Sequence, residues 1–296
     1  MNWRYRKRAL ALIPLLLLAG TALAKARPAT AQRPDLRSAA ALVLDETHAS
    51  VLYAHRADEA LPIASITKLM TALVVLEAHQ PLDELIEITP EDRALKRGAA
   101  SRLAVGAKLT RGDLMHLALM SSENRAAHAL GRSYPGGLPA VVRAMNARAR
   151  TLDMTRTRFV DPAGLSSQNV ASPSDLAKLV MATSANPDIR RFSTDDEHAV
   201  RVGRQMLEFR NTNNLVRNPG WDITVQKTGY LVEAGRCLVM RAAIEGRDVV
   251  IVLLNSYGKY TRVADARRIR KWIETSPTLR GSQARRLAAR GGTSST

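Results

Sequence analysis

Pro62-Ile63-Ala64-Ser65-Ile66-Thr67-Lys68-Leu69-Met70-Thr71 is the stretch that decides the fold of this chain. Leu69, Met70, Leu73, Val74 and Leu76 recur at helical spacing, so a helix runs from Ile66 onward. Ser65 and Lys68 stand three apart at its start, where positions i and i+3 share one face. A serine hydroxyl attacks poorly until a base takes its proton. Lysine is such a base only when neutral, and burial or a second cation pushes its pKa down to allow that. The helix N-terminus beside Ser65 favours a developing oxyanion. A single Ser-x-x-Lys is more often an ordinary exposed turn, so its meaning rests on what surrounds it.

Upstream, residues 39–44 and 51–53 are apolar runs around the polar connection Asp45-Glu46-Thr47-His48-Ala49-Ser50, the pattern of a β-hairpin. Downstream, Thr110-Arg111-Gly112-Asp113 reads as a capping box opening a helix through Leu114, Leu117 and Leu119. Ser172-Pro173-Ser174-Asp175 is a stronger helix start, with an N-cap serine, proline at the first position and aspartate at the third. In the C-terminal third, residues 236–244 and 249–254 are apolar runs around Glu245-Gly246-Arg247-Asp248, a second hairpin. Val263, Ala266, Ile269, Trp272 and Ile273 then mark an amphipathic helix that Pro277 ends. Strands at both ends with helices between predict an α/β (α+β) fold. One sheet is built from the N- and C-terminal segments, a mostly helical lobe is inserted after the first helix, and a cleft lies between them.

Two further strings belong to that cleft. Ser122-Glu123-Asn124 follows the apolar Leu117-Ala118-Leu119-Met120. Its hydroxyl can relay a proton to a leaving amine, and its amide can hold a substrate carbonyl because it both donates and accepts. By itself the string reads as a helix cap or turn. Lys227-Thr228-Gly229 lies on a strand entered through residues 223–225. A substrate laid along an edge strand pairs with its backbone, and glycine permits close approach. Lys227 and Thr228 suit a carboxylate, and Lys227 is the candidate second cation near Lys68. The backbone N–H groups of Tyr230 and Ser65 can form an oxyanion hole. Asn211, Asn213 and Tyr230 are candidates for contacts beyond the scissile bond.

The first residues speak for export. Arg4, Arg6, Lys7 and Arg8 precede the uncharged apolar residues 9–24, which end in the small-x-small signal Ala22-Leu23-Ala24. Residues 1–24 read as a signal peptide cleaved near Ala24, residues 25–37 as a polar leader, residues 38–276 as one catalytic domain and residues 277–296 as a basic, disordered tail. An uncleaved N-terminal anchor is the alternative, although Pro14 and Gly20 interrupt a run shorter than the roughly 20 residues of a spanning helix. Cys237 is the only cysteine of the 296 residues, so no disulfide closes within the chain. There are 44 Lys+Arg against 27 Asp+Glu, a net +17 that falls to +13 when residues 1–24 and their four cations are removed. Such a field favours polyanions. Export and the lack of a basic block interleaved with aromatics argue against nucleic acid. The cationic residues 262–271 read as a solvated helix face, with attraction to anionic wall or lipid as the sharper alternative. His-Glu-x-x-His, Gly-x-Ser-x-Gly and P-loop strings are all missing.

Taken together, the three strings resemble the active-site motifs of low-molecular-weight penicillin-binding proteins, the serine D-Ala-D-Ala carboxypeptidase and endopeptidase family. The resemblance covers roughly residues 38–274. Leu119-Met120-Ser121-Ser122-Glu123-Asn124-Arg125-Ala126-Ala127, Tyr134-Pro135-Gly136-Gly137, Asn211-Thr212-Asn213 and Gln226-Lys227-Thr228-Gly229-Tyr230 are similar to its murein endopeptidases. Carboxypeptidase relatives usually carry Ser-Gly-Asn where this chain has Glu123, and a β-rich second domain. The resemblance implies a β-lactamase/DD-peptidase-like fold, an antiparallel sheet flanked by helices. It implies Ser65 as nucleophile, Lys68 as base, and Ser122, Asn124, Lys227 and Thr228 in support, with Gly229 and Tyr230 beside the substrate. It implies no metal or organic cofactor, peptidoglycan muropeptides as substrate, β-lactam antibiotics as covalent inhibitors and a Gram-negative periplasm. Carboxypeptidase activity stays open. A class A β-lactamase needs a Glu-x-x-Leu-Asn loop, and Glu208-Phe209-Arg210-Asn211 has the wrong spacing. A non-catalytic wall-binding protein is the rival from another class, with nothing in its favour among these side chains.

Overall fold

The computed structural model describes residues 33–93, 101–277 and 279. The expected signal peptide, most of the polar leader and the basic tail beyond residue 279 lie outside the described residues. Strands β1 (Ser38–Asp45) and β2 (Ser50–His55) form the expected antiparallel hairpin, with Val43 opposite Tyr53. The short strand β3 (Leu61–Pro62) leads into a 3-10 turn, Ala64–Ile66, and then helix α1 (Thr67–Glu77). Every residue from Thr67 to Val75 is buried. A helix this apolar belongs in the interior, and here it joins the larger of the two core clusters.

The lobe follows. Strands β4 (Leu85–Glu87) and β5 (Lys108–Thr110) pair, and helices α2 (Arg111–Met120), α3 (Asn124–Arg132) and α4 (Gly137–Thr151) come next. Thr110 caps α2 by accepting from the Asp113 amide at 3.0 Å, but the Asp113 carboxylate takes the Thr110 hydroxyl (2.8 Å), so only half the capping box forms. Strand β6 (Val170–Ala171) returns to pair with β3. Ser172 caps helix α5 (Pro173–Ser184) as its sequence predicts, at 3.1 Å from the Asp175 amide. Asn186 caps helix α6 (Pro187–Thr194), and a hairpin of β7 (Glu197–Val202) and β8 (Gln205–Arg210) completes the insertion. α5 departs from the expected lobe and packs across β1 and the C-terminal strands instead.

Strands β9 (Asp222–Leu231), β10 (Gly235–Ile244) and β11 (Arg247–Ser256) precede helix α7 (Thr261–Thr275). The β10–β11 turn is tighter than expected. Glu245 and Gly246 take φ of 51° and 69°, so Arg247 and Asp248 already pair with Ile244 and Ala243. Two positive φ values match the right-handed twist of the flanking strands. The main sheet has the order β2-β1-β11-β10-β9 and is antiparallel throughout, which leaves β9 at the edge. Ala41, Val43, Leu238, Met240, Ile251 and Leu253 face α7, while Ala40, Leu42, Val239, Val252 and Leu254 face α5 and join the core that it shares with α1 and the lobe. Both faces are covered, which explains why β10 and β11 read as continuous apolar runs. Asp265 on α7 accepts from the Ser38 amide (2.8 Å) and hydroxyl (2.6 Å), which anchors α7 across the start of β1.

His116 of α2 carries an acid sensitivity. Its ring stacks on Phe192 and His198, with centroids 4.9 and 4.0 Å apart, and Nε2 lies 3.2 Å from the Asp195 carboxylate. Burial first, then His198 and Arg191, lowers its pKa from 6.5 to about 4. The folded state therefore binds fewer protons than the unfolded chain between these values. Stability is present above about 6.5 and is lost as pH falls towards about 4. The loss is on the order of a few kcal/mol, and the raised pKa of Asp195 offsets part of it. Urea unfolding near neutrality and near pH ~4 measures it, and His116→Phe is expected to flatten the difference.

Candidate active site

Ser65 sits in the 3-10 turn ahead of α1, held by Ala64 in the left-handed region (φ 49°). Lys68 lies one turn on and is buried. Its Nζ donates to Ser65 Oγ (2.8 Å), Asn124 Oδ1 (2.8 Å) and the Ala163 carbonyl (2.5 Å). Burial lowers its pKa to about 7, against the opposing pull of Asp161 and Glu123. When the amine is neutral, Asn124 and Ala163 can hold its two hydrogens. Its lone pair then points at the Ser65 hydroxyl, the arrangement of a nucleophile and its base.

The second string is both a cap and part of the cleft. α2 ends at Met120, the Ser121 hydroxyl turns back to the Leu117 carbonyl (2.8 Å), and Ser122 takes φ 61°. That reversal points Ser122 into the cleft and decides the register between the two serines. Glu123 is the N-cap of α3, its carboxylate accepting from the Ala126 amide at 2.8 Å. Asn124 opens α3 and meets Lys68, so its Oδ1 is engaged before any substrate arrives.

Lys227-Thr228-Gly229 lies on the edge strand β9, as expected. A Cβ on Gly229 would lie 2.8 Å from the Ile63 carbonyl and 3.3 Å from the Ser65 amide, so only glycine lets β9 approach the nucleophile turn this closely. Thr228 Oγ1 bonds Thr212 Oγ1 at 2.7 Å, and Lys227 Nζ donates to the Thr228 carbonyl at 3.1 Å. Burial first, then Lys68 and Arg262, pushes the Lys227 pKa well below the ordinary lysine range. The emphasis differs from the expected electrostatics: burial comes first in lowering the Lys68 pKa, and the Lys227 charge is not among the causes that shift it.

Ser65, Ser122, Asn124, Thr212, Thr228, Gly229, Tyr230 and Arg262 line one cleft of about 380 Å³, with Lys68 and Lys227 buried behind it. Arg262 was expected on a solvated helix face. It stands instead at the first turn of α7 against the cleft, where its Nε and Nη1 are buried without a hydrogen-bond partner. Such a guanidinium is a ready site for an anion. Asn211 and Asn213 are corrected the other way. Both are buried, and Asn211 is spent on the Ser193 and Asp195 carbonyls (3.0 and 2.9 Å), on Gln226 Nε2 and on the Asn213 amide. Thr212 between them reaches the cleft.

The loop that supplies Ala163 escaped the sequence reading, although Asp161-Pro162-Ala163-Gly164 is a turn signal. The Asp161 carboxylate accepts from the amides of Ala163 (2.8 Å), Gly164 (2.6 Å) and Ser166 (2.9 Å) and from Asn169 Nδ2 (2.6 Å), which fixes the loop under Lys68. Gly164 has φ 75°, and a Cβ there would fall 2.1 Å from the Ala64 carbonyl. Gly164→Ala is therefore expected to destabilise the protein by ~3 kcal/mol or more and to slow acylation by displacing the Ser65 turn. Thermal unfolding and the rate of penicillin labelling read the two effects.

Among the described residues no group of three or more His, Cys, Asp or Glu is placed to hold a metal ion. The family model described as D-alanyl-D-alanine carboxypeptidase, Peptidase S11, matches residues 27–258. A curated D-alanyl-D-alanine endopeptidase of Pseudomonas aeruginosa is 47% identical over 277 residues, covering 91% of this chain and 89% of that one. Its Escherichia coli namesake is 44% identical over 273 residues, covering 91% and 88%. The crystal structure of the Streptomyces K15 DD-transpeptidase superposes with a TM-score of 0.76 at 27% identity, covering 81% of this chain and 98% of that one. A buried lysine on a serine, an edge strand against the nucleophile turn and these matches agree, and the chain belongs to the D-alanyl-D-alanine carboxypeptidase family Peptidase S11, the serine DD-peptidases.

Proposed function

We propose that this protein is a serine D-alanyl-D-alanine endopeptidase that hydrolyses D-Ala–diaminopimelate cross-links of peptidoglycan through an acyl-enzyme. The observation that carries the chemistry is the buried Lys68 Nζ at 2.8 Å from Ser65 Oγ, with a pKa near 7. The names of the two relatives above lean the reading to endopeptidase.

Ser65 Oγ attacks the D-Ala carbonyl while Lys68 takes its proton. The oxygen becomes negative between the amides of Ser65 and Tyr230. Collapse breaks the C–N bond. The departing amine gains a proton through Ser122, leaving Ser65 as an ester. Water then attacks that ester, with its proton passing to Lys68, and the acid and free Ser65 return. Asn124 and the β9 backbone hold the acyl side. Lys227, Thr228 and Arg262 face the carboxylate on the carbon bearing the leaving amine. That anion also favours a protonated Lys227. A β-lactam follows the first half, but its amine stays tethered to the acyl group.

Digesting cross-linked dimeric muropeptides and free pentapeptide side by side tests the specificity. The expected result is rapid conversion of dimers to monomers with slow release of D-Ala. Fast D-Ala release with intact dimers would make the protein a carboxypeptidase.

Export by residues 1–24 belongs to the same reading, with residues 38–276 as the catalytic domain. No helix among the described residues is long and apolar enough to cross a membrane. The exported protein, at net +13, meets the wall by charge. Binding to isolated sacculi should weaken steeply with salt, since screening shortens to roughly 3 Å at 1 M. Retention in the membrane fraction through such a wash, with the N-terminus uncleaved, would point to an anchor instead.

A further inference from the structure

Three of the six tyrosines lie at one end of the sheet, where Tyr230 lines the cleft and Tyr257 follows Ser256, the β11 partner of Arg236. Tyr230 is on β9, while Tyr257 and Tyr260 lie between β11 and α7. Val232 is in the β9–β10 turn. Among the described residues, eight large apolar or aromatic side chains are exposed. These four are half of them, with Tyr257 at 94% and Val232 at 85%. Single exposed side chains need no explanation, but a cluster beside a cleft marks a contact surface.

The cluster is ringed by cations. The Arg236 guanidinium stands 4.4 Å from the Tyr230 ring centroid, and Lys259 Nζ stands 5.4 Å from that of Tyr260. Arg262 follows Tyr260 by two positions and lines the cleft. Across residues 229–237 and 255–263, Glu233 is the single acid against Arg236, Lys259 and Arg262.

We propose that Tyr257 and Tyr260, with the cations beside them, form a subsite for the leaving strand. Its occupant is the diaminopimelate-bearing peptide stem whose amine departs when a cross-link is cut. The proposal rests on the endopeptidase reading and names what selects for it. Continuity with the cleft sets the direction. Arg262 faces the carboxylate next to the leaving amine, and a chain running past that carboxylate moves onto the residues just before Arg262. A single D-alanine ends at its carboxylate and does not reach them. The stem is anionic, which Lys259 and Arg236 match. Tyrosine rings offer broad amphipathic faces with little side-chain entropy to lose, which suits the methylene arm of diaminopimelate.

The double variant Tyr257→Ala/Tyr260→Ala tests this. Its kcat/KM for a purified cross-linked dimer should fall on the order of 10–100-fold, mostly through KM. Penicillin acylation and D-Ala release from pentapeptide should stay within about twofold. The Tyr257→Phe/Tyr260→Phe pair keeps the rings and should recover most of the loss. Unchanged dimer hydrolysis overturns the subsite, and so does an equal fall in penicillin acylation, which would mean a disturbed cleft. Calorimetric binding in a Ser65→Ala background separates this from the functional reading. There the tyrosine pair should strengthen dimer binding at least tenfold and leave pentapeptide binding alone. If that holds while active enzyme spares dimers, the endopeptidase reading fails and the subsite stands. Dimer and pentapeptide bound alike, with or without the rings, overturns the subsite whatever the enzyme cuts.

Discussion

Replacing Ser65 with alanine is expected to abolish covalent penicillin labelling and to lower cross-link hydrolysis on the order of 10⁴-fold or more. Among the described residues the hydroxyl is the one nucleophile hydrogen-bonded to Lys68 Nζ, at 2.8 Å. Ser122 is not a substitute. It faces the same cleft from a left-handed backbone (φ 61°), but the Lys68 amine is committed to Ser65, Asn124 and Ala163. Intact-mass measurement after incubation with penicillin is the decisive check, with unfolding curves to confirm that the variant folds. A mass increase on the Ser65→Ala protein would move the nucleophile elsewhere. Some hydrolysis should survive, because the amides of Ser65 and Tyr230 remain to stabilise the oxyanion.

Lys68→Arg should be almost as damaging, on the order of 10³-fold or more in acylation. Guanidinium does not release its proton near neutrality, and its planar fork does not reproduce three bonds converging on one nitrogen. Lys227→Arg keeps a cation for the carboxylate and should be milder, on the order of tenfold. The pH profile sharpens the division. Lys68 acts as a base only when deprotonated. Acylation should therefore rise about tenfold per pH unit below its pKa of about 7 and level off above it. If the Lys227 charge were what neutralises Lys68, Lys227→Met would raise the Lys68 pKa and move this limb upward. Because burial comes first, the limb should stay near 7 in Lys227→Met while KM rises. Stopped-flow acylation by a chromogenic cephalosporin across pH measures both quantities. An upward move of a unit or more would restore the second-cation account.

Much of this site was legible in the sequence because its signals are local. The apolar period after Ile66, the spacing of Ser65 and Lys68, the cap at Ser172 and the Lys-Thr-Gly string on a strand each need only a few neighbouring residues. They predicted β1–β2, α1, α5, the edge strand and the convergence of Ser65, Lys68, Ser122, Asn124 and Thr228. The half-formed box at Thr110 and the two-residue turn at Glu245-Gly246 show the limit even of local reading, since side-chain choice and exact pairing are settled by the ladder beside them.

Tertiary structure decided what depends on partners far apart in the chain. β1 pairs with β11, placing Ala41 opposite Leu253, and this closes one sheet from the two ends. Lys68 is buried by Asn124 and by the carbonyl of Ala163, residues 56 and 95 positions away, and that burial sets its pKa. Arg262 belongs to a helix whose charge pattern reads as solvated, yet it starts that helix against the cleft. Asn211 and Asn213 look like polar loop residues, yet packing spends them inside and leaves Thr212 for the cleft. Periodicity and capping are properties of a segment and can be read along it. Burial, and with it pKa and a side chain's freedom to meet a substrate, belongs to surfaces that exist only once distant segments have packed.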